Sequence, residues 1–154
     1  GDGFWREHPD GGKPTQALER VTRLYATLEG GDAKALRAML DDKMAYRLTS
    51  APGWLVPLEA AEAFKRFRKA FTDPKLRAER SWEFDRTVVS EMVLTGTYNP
   101  PPGSKATPGK QVTVHFLDVI DVSTARDASL GFVMGGTTYD NGAELEAQVA
   151  PPAP

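Results

Sequence analysis

His115 and Asp118 stand three residues apart in the stretch Gln111 to Val122, and a further carboxylate, Asp140, closes the run from Leu130 to Tyr139. A neutral imidazole in reach of a carboxylate shares a proton near pH 7, so His115 with Asp140 is a candidate acid–base pair. The odd separation of His115 and Asp118 sends them to opposite faces of a regular strand, and only one of them can see a cavity. Along the last run Phe132, Met134, Gly136, Thr138 and Asp140 share a face. With Asp140 turned inward they line a wall, and burial there raises the carboxyl pKa until it can take a proton from a carbon acid or water. Plainer roles stand beside each of these. Asp140, followed by Asn141-Gly142, also reads as a turn residue, His115 as a surface or dimer-face residue, and Asp118 as a cross-strand partner for an arginine.

Other chemistries lack their residues. The chain has no cysteine and two histidines, His8 and His115, so disulfides, thiolate nucleophiles and His-rich zinc or iron sites are not available, and neither metal nor cofactor is expected. Gly135-Gly136 falls inside a strand, where it bends the sheet or leaves room for a ligand, and not at a strand-to-helix phosphate loop. The net charge of −2, from 19 basic and 21 acidic residues, gives no footprint for nucleic acid or a membrane surface. Lys65, Arg66, Arg68 and Lys69 read as a solvated helix face. No segment approaches the ~20 apolar residues of a membrane span. The start at Gly1 fits a tag scar or a removed leader, so the default compartment is the cytoplasm with export left open.

The elements that must position these groups follow from periodicity. At 154 residues one domain is expected, with an arm over 1–14 anchored by Phe4 and Trp5, a folded body over 15–149, and a frayed tail over 150–154. Leu18, Val21, Leu24/Tyr25 and Leu28 make one helix that Gly30-Gly31 stops; Asp32 caps a second with Leu36, Met39 and Leu40 on its buried stripe. Met44, Tyr46 and Leu48 alternate as a strand. Pro57 opens a third helix whose buried face is Leu58, Ala61, Phe64, Phe67 and Phe71, and Thr72-Asp73-Pro74 ends it. Four long strands follow: Leu76 to Phe84, with Leu76, Ala78, Arg80, Trp82 and Phe84 on one face, then Val88 to Tyr98, Gln111 to Val122 and Leu130 to Tyr139. Strands joined without crossover helices pair antiparallel, so the class is α+β: about three helices over one face of a curved antiparallel sheet, with a cone-shaped cavity between. An apolar uncovered face would make a homodimer.

Tyr25, Tyr46, Trp54, Phe64, Phe67, Trp82, Phe116 and Phe132 suggest a mostly apolar cavity for a flat, hydrophobic small molecule, or else ordinary core packing. Trp54, in the loop Ala51-Pro52-Gly53-Trp54, is the expected rim residue and gate.

The order of Leu24 to Leu40, Leu94-Thr95-Gly96-Thr97, Pro108 to Val114, Leu117-Asp118-Val119-Ile120 and Thr138-Tyr139-Asp140 before Leu145-Glu146-Ala147-Gln148 resembles a SnoaL-like polyketide-cyclase domain of the nuclear transport factor 2 superfamily, over roughly Thr15 to Val149. The resemblance implies an acid/base aspartate at the end of the last strand, where Asp140 falls, and an acidic position in the strand before it, where Asp118 falls. Other machinery of the superfamily is missing. The tyrosine of ketosteroid isomerases, eight residues before the capping aspartate, is here Leu24, and their general base falls at Arg47. The Arg-x-Asp pair of the epoxide hydrolases meets Thr95, Gly96 and Thr97, and Thr124 to Leu130 lacks the histidine of SnoaL-type cyclases. Three functions stay open: a cofactor-independent cyclase, isomerase or lyase with Asp140 as acid/base, a ligand carrier, and a dimerisation or partner-docking module.

Overall fold

The computed structural model describes residues 6–7, 14–125, 127 and 130–153. Helix α1 (Gln16–Gly30) starts where the Thr15 hydroxyl accepts the Leu18 N–H, and it stops at Gly31, whose φ of 79° lets its N–H reach the Thr27 carbonyl. Asp32 then caps α2 (Ala33–Met39) by accepting the Ala35 N–H at 3.0 Å. Strand β2 (Leu40–Leu48) follows without a linker, and Pro57 opens α3 (Pro57–Ala70). The remaining elements are β3 (Phe71–Phe84), β4 (Thr87–Tyr98), β5 (Lys110–Val122), β6 (Val133–Tyr139) and a fourth helix, α4 (Gly142–Val149). A two-residue strand, β1 (Arg6–Glu7), pairs with the far end of β3. Phe4 and Trp5, expected to anchor the arm, lie outside the described residues.

The class is α+β, one curved and unclosed sheet in the order β1-β3-β4-β5-β6-β2. The strands of β3 to β6 pair antiparallel, as expected, but β2 lies parallel to β6. These two are far apart in sequence, and α3 with three strands forms the crossover that a parallel pair needs. The third helix ends one residue before Phe71, which opens β3, and Leu58 is 71% exposed instead of buried. The segment Thr72-Asp73-Pro74 does not break the chain into a loop. It is a bulge inside β3, with Asp73 at φ 49° and the register shifting between Thr72 and Lys75.

Two further bulges decide which side chains face the helices. One between Ala78 and Arg80 reverses the parity of β3, so that Ser81 and Glu83 turn inward while Arg80 stacks on Trp82, 4.8 Å from its ring centre. Trp82 therefore does not join the cavity. The other lies in β6, where Val122 pairs with Val133 although Asp121 pairs with Gly135; Met134 is the extra residue. The core under α1 and α2 is built from Val21, Leu24, Met44, Met92 and Ile120. A smaller cluster of Phe71, Leu94, Val112, Val114 and Val149 closes the other end. There the edge of β5 that β6 leaves unpaired is covered by α4: Gln148 accepts the Thr113 N–H and Glu144 accepts the His115 N–H.

Candidate functional site

Register places four polar residues in one row across the covered face of the sheet. Ser81 pairs with Ser90, Ser90 with Asp118 and Asp118 with Thr138. Ser81, Ser90 and Asp118 are all buried. Helix α1 lays Tyr25 over this row, and its phenol donates to Asp118 Oδ2 at 2.6 Å. The Thr138 hydroxyl donates to the other carboxylate oxygen, Oδ1, also at 2.6 Å, and lies 2.7 Å from the Tyr46 phenol oxygen. The Ser81 and Ser90 hydroxyls are 3.0 Å apart. Burial pushes the Asp118 carboxyl up to about 6, although the hydrogen bonds from Thr138 and Tyr25 favour its charged form and hold the rise in check. Burial and the neighbouring Asp118 charge raise Tyr25 and Tyr46 well above the ordinary phenol value, so both remain neutral donors. The site thus holds a carboxyl that exchanges a proton near neutral pH, flanked by hydroxyls that do not ionise.

Asp118 and Thr138 border a cavity of about 430 Å³ between the helices and the sheet. Leu36, Phe64 and Phe67 face it from the helices, and Leu94, Phe116 and Ile120 from the sheet. Ser50, Leu55 and Asp140 form part of its margin. No lysine, arginine or histidine lines it among the described residues.

Tyr25, Tyr46, Phe67, Phe116, Asp118 and Thr138 all line the cavity. Asp140 borders it too, but as an exposed residue. Its Oδ2 accepts both the N–H and the hydroxyl of Ser50, at 3.0 and 2.7 Å, which ties the loop after β2 to the end of β6. The burial on which its acid/base role was premised belongs to Asp118 instead. His115 points away from the cavity, as its parity with Asp118 requires: its ring lies against Glu144 of α4 at 2.6 Å, a hydrogen bond that raises the imidazole pKa. Neither Asp118 nor Asp140 has it as a partner. The bulge at Met134 breaks the shared face expected for β6, so Met134 is exposed and Phe132 is fully buried beneath Arg20, both outside the cavity wall. Trp54 is 54% exposed and stacks on Arg47 instead of lining the rim.

Ser81, Ser90 and Ser50 were not singled out in the sequence. The one local signal was Ser90 interrupting the apolar alternation of Val88, Met92 and Leu94; its meaning depends on register. Gly136 leaves room for the ring of Tyr46, not for a ligand: a Cβ there would lie 2.6 Å from the Val119 carbonyl and 2.8 Å from that ring. Among the described residues no group of three or more His, Asp or Glu is placed to hold a metal ion, and no helix is long and apolar enough to cross a membrane.

The SnoaL-like domain family matches residues 21–128. A candidate polyketide cyclase from Xanthomonas campestris pv. campestris superposes with a TM-score of 0.73 at 24% identity, over 88% of this chain and 97% of that one. Another, from Acidithiobacillus ferrooxidans, gives 0.74 at 19% identity over 90% and 96%. A protein of ketosteroid isomerase-like fold from Catenulispora acidiphila DSM 44928, in complex with trimethylamine, gives 0.69 at 14% over 87% and 94%. At such identities the likeness is one of fold. No curated protein matches the chain.

Proposed function

The chain belongs to the SnoaL-like domain family, and from that premise we propose that it is an acid–base catalyst of the cyclase or isomerase type in which Asp118 removes a proton from a hydrophobic, uncharged carbonyl compound. One observation carries this reading: a buried carboxyl, raised to about 6, sits in the wall of a mostly apolar cavity. A base of that strength is largely ionised at pH 7 yet readily gives its proton back. The apolar wall favours a flat ring system, and an anionic substrate would bring its charge beside Asp118 and Asp140 with no lysine, arginine or histidine among the described lining residues to offset it. Asp140 serves this reading by holding the loop at the cavity margin.

The test uses 2-tetralone, a flat bicyclic ketone with acidic C–H bonds, in deuterated buffer. The expected result is deuterium entry at its activated carbon above the buffer rate, reduced by about 10²-fold or more in Asp118→Asn while binding of the ketone persists. Equal exchange in both proteins removes Asp118 from the mechanism. Binding without exchange in the wild type makes the protein a carrier and refutes the enzymatic reading.

A further inference from the structure

Asp118 is the branch point of a line of hydroxyls with one closed and one open end. On the closed side lie Tyr25 and then Ser90 and Ser81, both serines buried and neither in the cavity wall. Tyr25 itself borders the cavity, but it donates straight to Asp118 with no hydroxyl between them, and the serines beyond it give a proton no outlet. On the other side Thr138 stands between the Asp118 carboxylate and the Tyr46 phenol, at 2.6 and 2.7 Å, and both Thr138 and Tyr46 face the cavity. A hydroxyl donates one hydrogen and accepts through its lone pairs, so this pair of bonds can run in either direction. With Asp118 ionised, Tyr46 donates to Thr138 and Thr138 to Asp118. With Asp118 protonated on Oδ1, both bonds reverse, and the Tyr46 hydrogen points away from Thr138.

We propose that Thr138 relays a proton between Asp118 and Tyr46, so that a bound ketone meets a base at the carboxylate and an acid at the phenol. The inference rests on the reading of Asp118 as the base. The step balances without a co-reactant. The C–H bond next to the carbonyl breaks and its proton joins Asp118, while the electron pair moves into the enolate. Asp118 passes a proton to Thr138, Thr138 passes its own to Tyr46, and Tyr46 gives its own to the enolate oxygen. The product is the enol, and carboxylate, hydroxyl and phenol are all restored. Oδ2 accepts from Tyr25 and Oδ1 from Thr138, and a carboxylate oxygen has a further lone pair for the incoming proton. Thr138 is a positioning residue in this scheme, and Tyr46 touches the substrate.

The experiment combines a substrate-free titration with the 2-tetralone exchange assay, on wild type, Thr138→Val, Thr138→Ser, Tyr46→Phe and the double variant Thr138→Val/Tyr46→Phe. The carboxyl carbon of Asp118 is followed by NMR against pH. Thr138→Val, which keeps the shape and removes the hydroxyl, raises the Asp118 pKa, and Thr138→Ser restores it. Tyr46→Phe raises it in the wild-type background and raises it less in Thr138→Val, where only its direct interaction with Asp118 is left. Exchange falls about tenfold or more in Thr138→Val, recovers in Thr138→Ser, and falls no further in the double variant, as residues acting as one unit require. Additive losses, or a Thr138→Ser variant as slow as Thr138→Val, overturn the relay. Wild-type exchange in Thr138→Val with loss in Asp118→Asn also overturns it and leaves the proposed function standing; loss of neither removes the base itself.

Discussion

Replacing Asp118 by asparagine is expected to stabilise the protein at neutral pH. Asp118 is 4% exposed, and its carboxyl pKa rises from 3.8 unfolded to about 6 folded. Between those values the folded protein holds a proton that the unfolded chain has released, so stability drains away as pH climbs through the window and the loss is complete above it. Roughly two pKa units at about 1.4 kcal/mol each make this ~3 kcal/mol. Asp118→Asn does not titrate, keeps an acceptor for one of the two hydroxyls, and keeps the shape of the row. Near pH 4 the two proteins should differ by no more than about 1 kcal/mol, the value of one neutral hydrogen bond. Near pH 7.5 the variant should lead by ~2–3 kcal/mol, or roughly 5–10 °C in Tm for a chain of this size. Urea unfolding of both proteins at the two pH values reads the effect, and the difference cancels every other titrating group. A difference that is flat with pH, or a wild type that gains on the variant as pH rises, refutes the assignment of Asp118 as a carboxyl held ionised at a cost.

Gly136→Ala would drive a Cβ into the Val119 carbonyl and the ring of Tyr46, parting β5 from β6 where the polar row crosses; a loss of about 1–3 kcal/mol in urea unfolding is expected. A wild-type midpoint would show that the strands yield without cost. His115→Ala should leave 2-tetralone exchange at the wild-type rate, because the ring lies on α4 and not in the cavity. The imidazole pKa is raised by Glu144, so its support of α4 is complete below pH ~6.5 and lost as pH rises through the raised value. Amide protection in α4 should fall with pH in the wild type and stay level in His115→Ala; the same fall in both would remove the ion pair from the account.

Where the fold follows from local chemistry the sequence discloses it. Gly31 and Asp32 mark the stop and start between α1 and α2, Pro57 marks the start of α3, and the odd spacing of His115 and Asp118 separates them to opposite faces. Where a bulge intervenes, local parity misleads. The extra residue Met134 moved Phe132 off the wall and kept Thr138 on it, and the shift between Ala78 and Arg80 turned Ser81 inward and Trp82 out. Thr72-Asp73-Pro74 reads locally as the end of a helix, and only pairing with β4 reveals it as a bulge inside a strand, where a non-glycine residue with positive φ is uncommon. The parallel contact of β2 with β6 and the pairings of Asp118 with Ser90 and with Thr138 join residues tens of positions apart, which no short window of sequence contains. The same distance explains why Asp140 drew attention ahead of Asp118: the end of a strand is visible in sequence, and burial is a property of what the other strands bring to it.

The partners of Asp118 matter as much as its burial. A guanidinium or ammonium beside a buried carboxylate stabilises the charge so strongly that the pKa drops and the group no longer takes up protons near pH 7. Here the two oxygens are met by the Tyr25 phenol and the Thr138 hydroxyl, neutral donors that satisfy the carboxylate without cancelling its charge. Asp140, exposed at the cavity margin, adds a weak push upward. The outcome is a carboxyl poised between two states, and the hydroxyls that poise it can reverse direction when it protonates. A core built for stability alone would place a valine in this row, between Ile120 and Phe116 on the same strand face. That the strand carries an aspartate there, with register bringing a hydroxyl to each side of it, is what a proton-handling site requires and an apolar scaffold does not.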